Sequence, residues 1–417
     1  MKISDIKPEV YEMAERAMKR IGSEFEKIDA VAMHNTRKVM AAFQDNRVSD
    51  ACFAGTTGYG YDDLGRETLD KIYAQIFGTE AALVRIGFVN GTHALTCAMF
   101  ATVKPGDVIL SVTGTPYDTL RNAIGIDGNC HGSLKFYRVD YAEVALKADS
   151  SPDYEGIEKA ASEKRVAAVM IQRSRGYDDR RALTVDEIGR ICDSVKRVNP
   201  KAVVMVDNCY GEFTDIYEPT DVGADIIAGS LIKNPGGGIA PTGGYIAGKK
   251  ELVERAAMRM TTPGIGGECG STLGNNRLLF QGLFMAPHTV AQALKTAVFC
   301  AAMMDEMGLE SSPKYNEKRS DIIQMIRLGS EENMKRFCLG IQSGAPVDSY
   351  VTPEPWPMPG YNCPVIMAAG AFIQGSSIEL SADGPVREPY IAYMQGGLTF
   401  ESGRLGIMMA ASAMIGE

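Results

Sequence analysis

Between residues 81 and 260 the chain alternates short, unbroken apolar runs with stretches whose apolar residues recur at helical spacing. The runs are 81–86, 108–112, 167–172, 202–206, 226–228 and 243–247, and they predict strands. The stretches 92–102, 117–123, 185–198 and 250–260 predict helices. A strand that is apolar along its whole length has both faces covered. Strands of that kind alternating with helices belong to a parallel sheet with helices on either side. The strands are unevenly spaced and two further regions flank them, which favours an open, doubly wound sheet over a closed barrel.

Residues 3–45 read as helical and charged, with apolar residues at helical spacing over 24–43. A Gly/Tyr-rich loop follows at 55–65. The helix predicted at 66–77 places Leu69, Ile72, Tyr73 and Ile76 on one face. Beyond about residue 290, 289–306 and 315–339 read as long helices. Pro/Gly-rich turns, a loop at 353–359 and short strands such as 364–369 and 377–381 follow. The expected organisation is an N-terminal arm over 1–50, a large α/β domain over 51–290 and a smaller α+β domain over 291–417.

A chain of 417 residues is too long for one ordinary core and suits two domains. A net charge of -9 argues against nucleic acid or an anionic membrane as partner. The start of the chain lacks the pattern of a signal peptide, and no apolar run is long enough for a membrane span. Nine cysteines are dispersed without a CxxC pair, which suits reduced thiols in the cytoplasm. The four histidines (His34, His93, His131 and His288) share no metal-ligand spacing, so no metal site is expected.

Candidate chemistry concentrates at 203–248. Asp207 ends one apolar strand. Ser230 and Lys233 follow the next, ahead of a glycine-rich loop. Open α/β sheets bind ligands in the crevice at the carboxyl ends of their strands. A lysine there can form an imine, and an aspartate there can hold a pyridinium nitrogen protonated. Taken singly, such an aspartate is usually a helix cap and such a lysine a solvated loop residue. The order Asp, one strand–helix–strand step, Ser-x-x-Lys and glycine-rich loop is what singles them out. Upstream, Asn90, Gly91 and Thr92 open a helix, whose free N–H groups and positive dipole end suit a phosphate. Ser230 would add a hydroxyl. Tyr117, in the loop after a strand, is either a stacking partner for a flat ring or a residue packed on the rim.

These segments, with 58–66, 172–176, 281–288 and 395–399, resemble the fold-type I enzymes that use pyridoxal 5′-phosphate (PLP). Within them the chain most resembles the cysteine/methionine-metabolism lyases, in the methionine γ-lyase branch that includes aluminium-resistance proteins. The resemblance implies a PLP-dependent transferase-like fold: a doubly wound, mainly parallel sheet with a smaller C-terminal α+β domain. It implies Lys233 as the Schiff-base lysine and Asp207 as partner of the pyridine nitrogen. Gly91, Thr92 and Ser230 would bind the phosphate beside Asn90, and Tyr117 would stack on the ring. The broader family adds a Tyr-x-Arg pair from a neighbouring subunit. The loop here lacks that pair, leaving Tyr59, Tyr61 or Arg66 as substitutes. For the substrate carboxylate the candidates are Arg387, favoured by its place after an apolar strand, and Arg404. Arg173, Arg175 and Tyr61 are further pocket candidates, while His93 and His288 read as structural. The implied activity is carbon–sulfur lysis of an L-amino acid by β- or γ-elimination, giving ammonia, a 2-oxo acid and a thiol or other leaving group. γ-Replacement, transamination, retro-aldol cleavage and a non-catalytic role in metal tolerance are the alternatives. A cytoplasmic homo-oligomer, dimer or tetramer, with shared active sites is expected.

Overall fold

The computed structural model describes residues 1–128, 130–358 and 363–415. Strands β1 (Ala81–Arg85), β2 (Val108–Ser111), β3 (Asp140–Glu143), β4 (Val166–Gln172), β5 (Val203–Asp207), β6 (Ile226–Ser230) and β7 (Gly244–Gly248) form one sheet. Their order is β1-β7-β6-β5-β4-β2-β3. The five strands from β6 to β3 run parallel, and β7 and β1 complete the sheet with antiparallel pairings. Val204, Met205, Val206, Ile226, Ile227 and Ala228 are all buried, the two-sided burial that their unbroken apolar runs predict. β3 had no such run. It is an edge strand of sequence Asp-Tyr-Ala-Glu with its ends exposed, so it carries little apolar signal.

The helices are α1 (Pro8–Asp45), α2 (Leu64–Ile76), α3 (Gly91–Thr102), α4 (Asp118–Ile124), α5 (Tyr154–Ala161), α6 (Val185–Val198), α7 (Lys250–Met260), α8 (Asn276–Glu306), α9 (Glu331–Ser343) and α10 (Phe400–Ile415). The arm is one continuous helix. Val10, Ala14, Ala17 and Ile21, spaced three or four apart, pack into a core shared with α8 and α10. Asn35 then reaches the large domain, donating to the carbonyls of Phe213 (3.3 Å) and Asp215 (3.0 Å).

The smaller domain has a second sheet of order β10-β11-β12-β9-β8, entirely antiparallel. Its strands are β8 (Ser311–Ser312), β9 (Ile323–Arg327), β10 (Val365–Ala369), β11 (Ser381–Pro385) and β12 (Ile391–Gln395). The long helix expected over 315–339 is therefore β9 followed by α9. Apolar residues at 322, 323, 325, 326 and 328 fit either period. The break is Gly329 at φ 71° and Ser330, whose side chain caps α9 by accepting from the Asn333 N–H. The strand expected at 377–381 begins at Ser381 instead. The loop expected at 353–359 is described as far as Met358. α8 starts at Asn276, not at 289, because Pro287 is tolerated inside it. Residue 290, expected as a boundary, thus lies within a helix.

The sheet sets the site. β2, β4, β5 and β6 are parallel neighbours, so Ser111, Gln172, Asp207 and Ser230 end on one edge. Beneath that edge Phe77 is fully buried, its ring parallel to Tyr245 (5.2 Å, 3°) and 6.1 Å from Phe213. Phe77→Ala empties a close-packed position and lowers stability by about 3–5 kcal/mol. A urea midpoint that falls with an unchanged slope is the expected reading.

Candidate active site

A cavity of about 400 Å³ opens between the two domains. The large domain lines it with Tyr117, Gln172, Arg175, Asp207, Tyr210 and Lys233, and the smaller domain with Ile323, Arg387 and Gln395. Asp207 is buried at the end of β5, and its Oδ1 accepts from the Cys209 N–H (3.1 Å). Burial pushes its carboxyl above the usual range, with Lys233 and the Cys209 N–H opposing. A cationic group beside it would relieve that. Lys233 follows β6, half-buried, with Nζ 3.8 Å from the centroid of the Tyr210 ring. Burial works against its ammonium, yet Cys209, Tyr210, Tyr117 and Asp207 hold its proton affinity well above the ordinary lysine value.

The N-terminus of α3 meets the end of β6. Asn90 caps α3, accepting from the His93 N–H (2.9 Å). Gly91 lies so near that an added Cβ would come 3.1 Å from Ser230 Cβ. Ser230 Oγ is buried without a hydrogen-bond partner. An orphan hydroxyl beside a helix N-terminus is a cradle for an anion. Thr92 Oγ1 lies 3.1 Å from the Tyr117 hydroxyl and 3.0 Å from Thr119 Oγ1. The Tyr117 N–H donates to Gln172 Oε1 (3.2 Å), which fixes the loop carrying the ring. Burial, then Asp207, pushes the Tyr117 phenol up, so it stays a hydroxyl at neutral pH.

The structure thus brings together Asn90, Gly91, Thr92, Tyr117, Asp207, Ser230 and Lys233. Arg387 also borders the cavity. It is exposed, and among the described residues its guanidinium has no hydrogen-bond or ion-pair partner. Arg175 lines the cavity from a buried position, with Nη2 donating to Ser312 (3.1 Å).

Arg173 does not join them. It is fully buried, and its guanidinium donates to Asn208 Oδ1 (2.8 Å), Thr214 Oγ1 (3.0 Å) and Ser320 Oγ (3.2 Å) beside Glu218. Those partners commit it to the protein, which corrects the expectation of a substrate contact. Arg66 is likewise sealed under the carbonyls of Gly60, Gly270 and Glu268. Arg404 pairs with Glu15 on α1 (2.7 Å), away from the cavity. Tyr59 and Tyr61 lie outside this cavity on their own chain, 73% and 57% exposed, with rings stacked 5.7 Å apart. His93 accepts from the Val89 N–H (3.2 Å), and His288 is exposed on α8. Among the described residues no group of His, Cys, Asp or Glu is arranged to hold a metal, and no helix is long and apolar enough to cross a membrane.

Gln172, Tyr210 and Asp383 were assigned no role from sequence. Gln172 and Tyr210 stood in segments already singled out, 172–176 and 203–248. Burial pushes the Asp383 carboxyl up to about 7, opposed by a hydrogen bond from Tyr177, a cavity residue. The folded chain therefore keeps a proton there that the unfolded chain, with an ordinary value of about 4, has lost. Stability contributed at this position falls as pH rises from about 4 to about 7. Asp383→Asn removes the dependence. Relative to the unsubstituted protein the variant gains on the order of 1–4 kcal/mol between pH 4 and pH 8. Urea midpoints across that range measure it, and a constant difference would refute the assignment.

The methionine gamma-lyase family model matches residues 10–415. A Bacillus subtilis protein, YnbB, is 47% identical over 389 residues, covering 93% of this chain and 92% of its own. A Clostridium novyi structure described as a carbon–sulfur lyase involved in aluminium resistance superposes with a TM-score of 0.94. It is 53% identical, with 98% of this chain and 96% of that chain covered. A Clostridium acetobutylicum structure, a candidate cystathionine β-lyase involved in aluminium resistance, gives a TM-score of 0.95. It is 51% identical over the same shares of the two chains.

Proposed function

Because this chain belongs to the methionine gamma-lyase family, we propose that it is a PLP-dependent carbon–sulfur lyase of sulfur amino-acid metabolism. It acts on an L-amino acid by β- or γ-elimination and releases ammonia, a 2-oxo acid and a thiol. The observation that carries the reading is the buried Ser230 hydroxyl beside Gly91, without a hydrogen-bond partner among the described residues, at the end of the strand next to the one that carries Asp207 and three residues before Lys233.

The residues fit the cofactor. The amides at Gly91 and Thr92 and the Ser230 hydroxyl would hold its phosphate at the N-terminus of α3. Asp207, a buried carboxyl pushed upward, would pair with the ring nitrogen. Tyr117 would cover the ring face, and Lys233 would hold the aldehyde carbon. When bound, PLP supplies an electron sink for the pair left at the substrate Cα.

The chain's own groups do the rest. Lys233 Nζ, once free, takes the Cα proton. The Tyr117 hydroxyl keeps its proton at neutral pH and is a donor at the cavity wall. Arg387, a guanidinium without a partner among the described residues, takes the substrate carboxylate. Tyr59 and Tyr61 are exposed and lie outside the cavity of their own chain, which supports a role in a neighbouring subunit's site. We assign the protein to the cytoplasm as a homo-oligomer, a dimer or tetramer.

Borohydride treatment of the cofactor-supplemented protein, followed by peptide mass spectrometry, tests the reading. One PLP-sized adduct at Lys233 is expected, absent from Lys233→Ala, with ammonia and thiol released from a panel of sulfur amino acids. An unmodified Lys233 would sink the proposal. Arg387→Leu should raise KM about 10–100-fold, the worth of a charged hydrogen bond, while the adduct still forms. An unchanged KM would remove Arg387 from the substrate site.

A further inference from the structure

The turn that follows β5 carries two non-glycine residues in the left-handed region, Tyr210 at φ 69° and Phe213 at φ 63°. Such conformations persist where the surroundings over-determine them, and they gather at functional sites. Here five residues hold the turn. Arg173 packs against the next residue so closely that a Cβ on Gly211 would meet its Cδ at 2.5 Å. The same guanidinium holds Asn208 and Thr214 on either side of the turn. Glu218 Oε1 accepts from the Phe213 N–H (2.9 Å), and Asn234 donates to the Glu212 carbonyl (2.9 Å). Asn35 of α1 holds the carbonyls of Phe213 and Asp215, and Ser320 of the smaller domain accepts from Thr214 (3.3 Å). These contacts hold the turn on both sides of Tyr210, whose ring faces Lys233 Nζ at 3.8 Å.

We propose that Tyr210 is a positioning residue for Lys233, its ring face forming a cation–π seat for the protonated amine. The inference rests on the reading of Lys233 as the cofactor lysine and deepens it. When the C–H bond at Cα breaks, its proton ends on Nζ and its electron pair stays with carbon. The ring face lies where the positive charge then forms, and the quadrupole of an aromatic face attracts a cation at that distance. The seat holds the ammonium ready to return its proton. It also accounts for Arg173, whose place is beneath the turn and not in the cavity.

The ionisable groups that act on Nζ are Cys209, Tyr210, Tyr117 and Asp207, and Nζ in turn acts on Glu212 in the same turn. A test must change the ring and leave the others in place. Tyr210→Phe removes the hydroxyl, and fluorinated phenylalanines inserted at 210 weaken the ring face stepwise at nearly constant shape. Competitive labelling of the full-length chain, stripped of cofactor, with a trace amine-acylating reagent reads the proton affinity of Lys233 as a function of pH. Tyr210→Phe should lose only the phenol's own contribution and set the baseline for the series. Successive fluorines should lower it progressively, to about one pH unit in total. Tyr210→Leu should show the full drop at once. A flat fluorination series, or a full drop already in Tyr210→Phe, overturns the proposal. The borohydride adduct on each variant is the separate check on Lys233. An adduct present with a flat series sinks only the seat, whereas an adduct absent throughout sinks the cofactor assignment itself.

Discussion

Asp207 and Lys233 are a carboxylate and an amine held largely out of water at the ends of adjacent strands, and much of the neighbouring structure answers that constraint. Parallel strands lie about 4.8 Å apart, so β5 and β6 deliver both groups to one edge with little freedom. Withdrawing charges from water costs several kcal/mol each unless partners compensate. The compensation is local: a backbone N–H on the carboxylate, an aromatic face on the amine, and an anion cradle next door with one hydroxyl unpaired. A ligand with a phosphate at one end and a basic ring nitrogen at the other answers each of these imbalances.

The buffering around the edge is as specific as the edge itself. Gln172 ends β4 and holds the Tyr117 loop through its side-chain oxygen, while one residue further on Arg173 props the turn after β5. The rigid sheet therefore reaches the cavity through two neighbouring side chains of different kinds. The smaller domain contributes the opposite wall, where Arg387 has no partner among the described residues, and behind it burial pushes the Asp383 carboxyl up to about 7.

What could be read from the chain follows from where signals are concentrated. Strands buried on both faces announce themselves as apolar runs, and so the sheet and its ligand edge were legible. Asp207, Ser230 and Lys233 were legible because their order along the chain mirrors their order along that edge. β3 was not, since an edge strand carries no such run. Nor was β9, whose apolar spacing fits two periods and is decided by Gly329 and Ser330. Arg173 and Arg175 stand two residues apart, and nothing local says which meets the cavity. That depends on Glu218, Asn208 and Ser320, distant in sequence and joined only by folding. Tyr210 was invisible for a related reason, because its backbone conformation is imposed by Arg173, Glu218 and Asn35.

α8 runs unbroken for 31 residues, roughly 46 Å at helical rise, under both domains. Its residues pack into the cores of both domains, so the two are joined there by a continuous helical beam and not by a loop. The beam has one soft point. Pro287 supplies no N–H to the Leu283 carbonyl, and bending of a helix concentrates at such a gap. Any relative movement of the two domains would therefore bend the beam at Pro287.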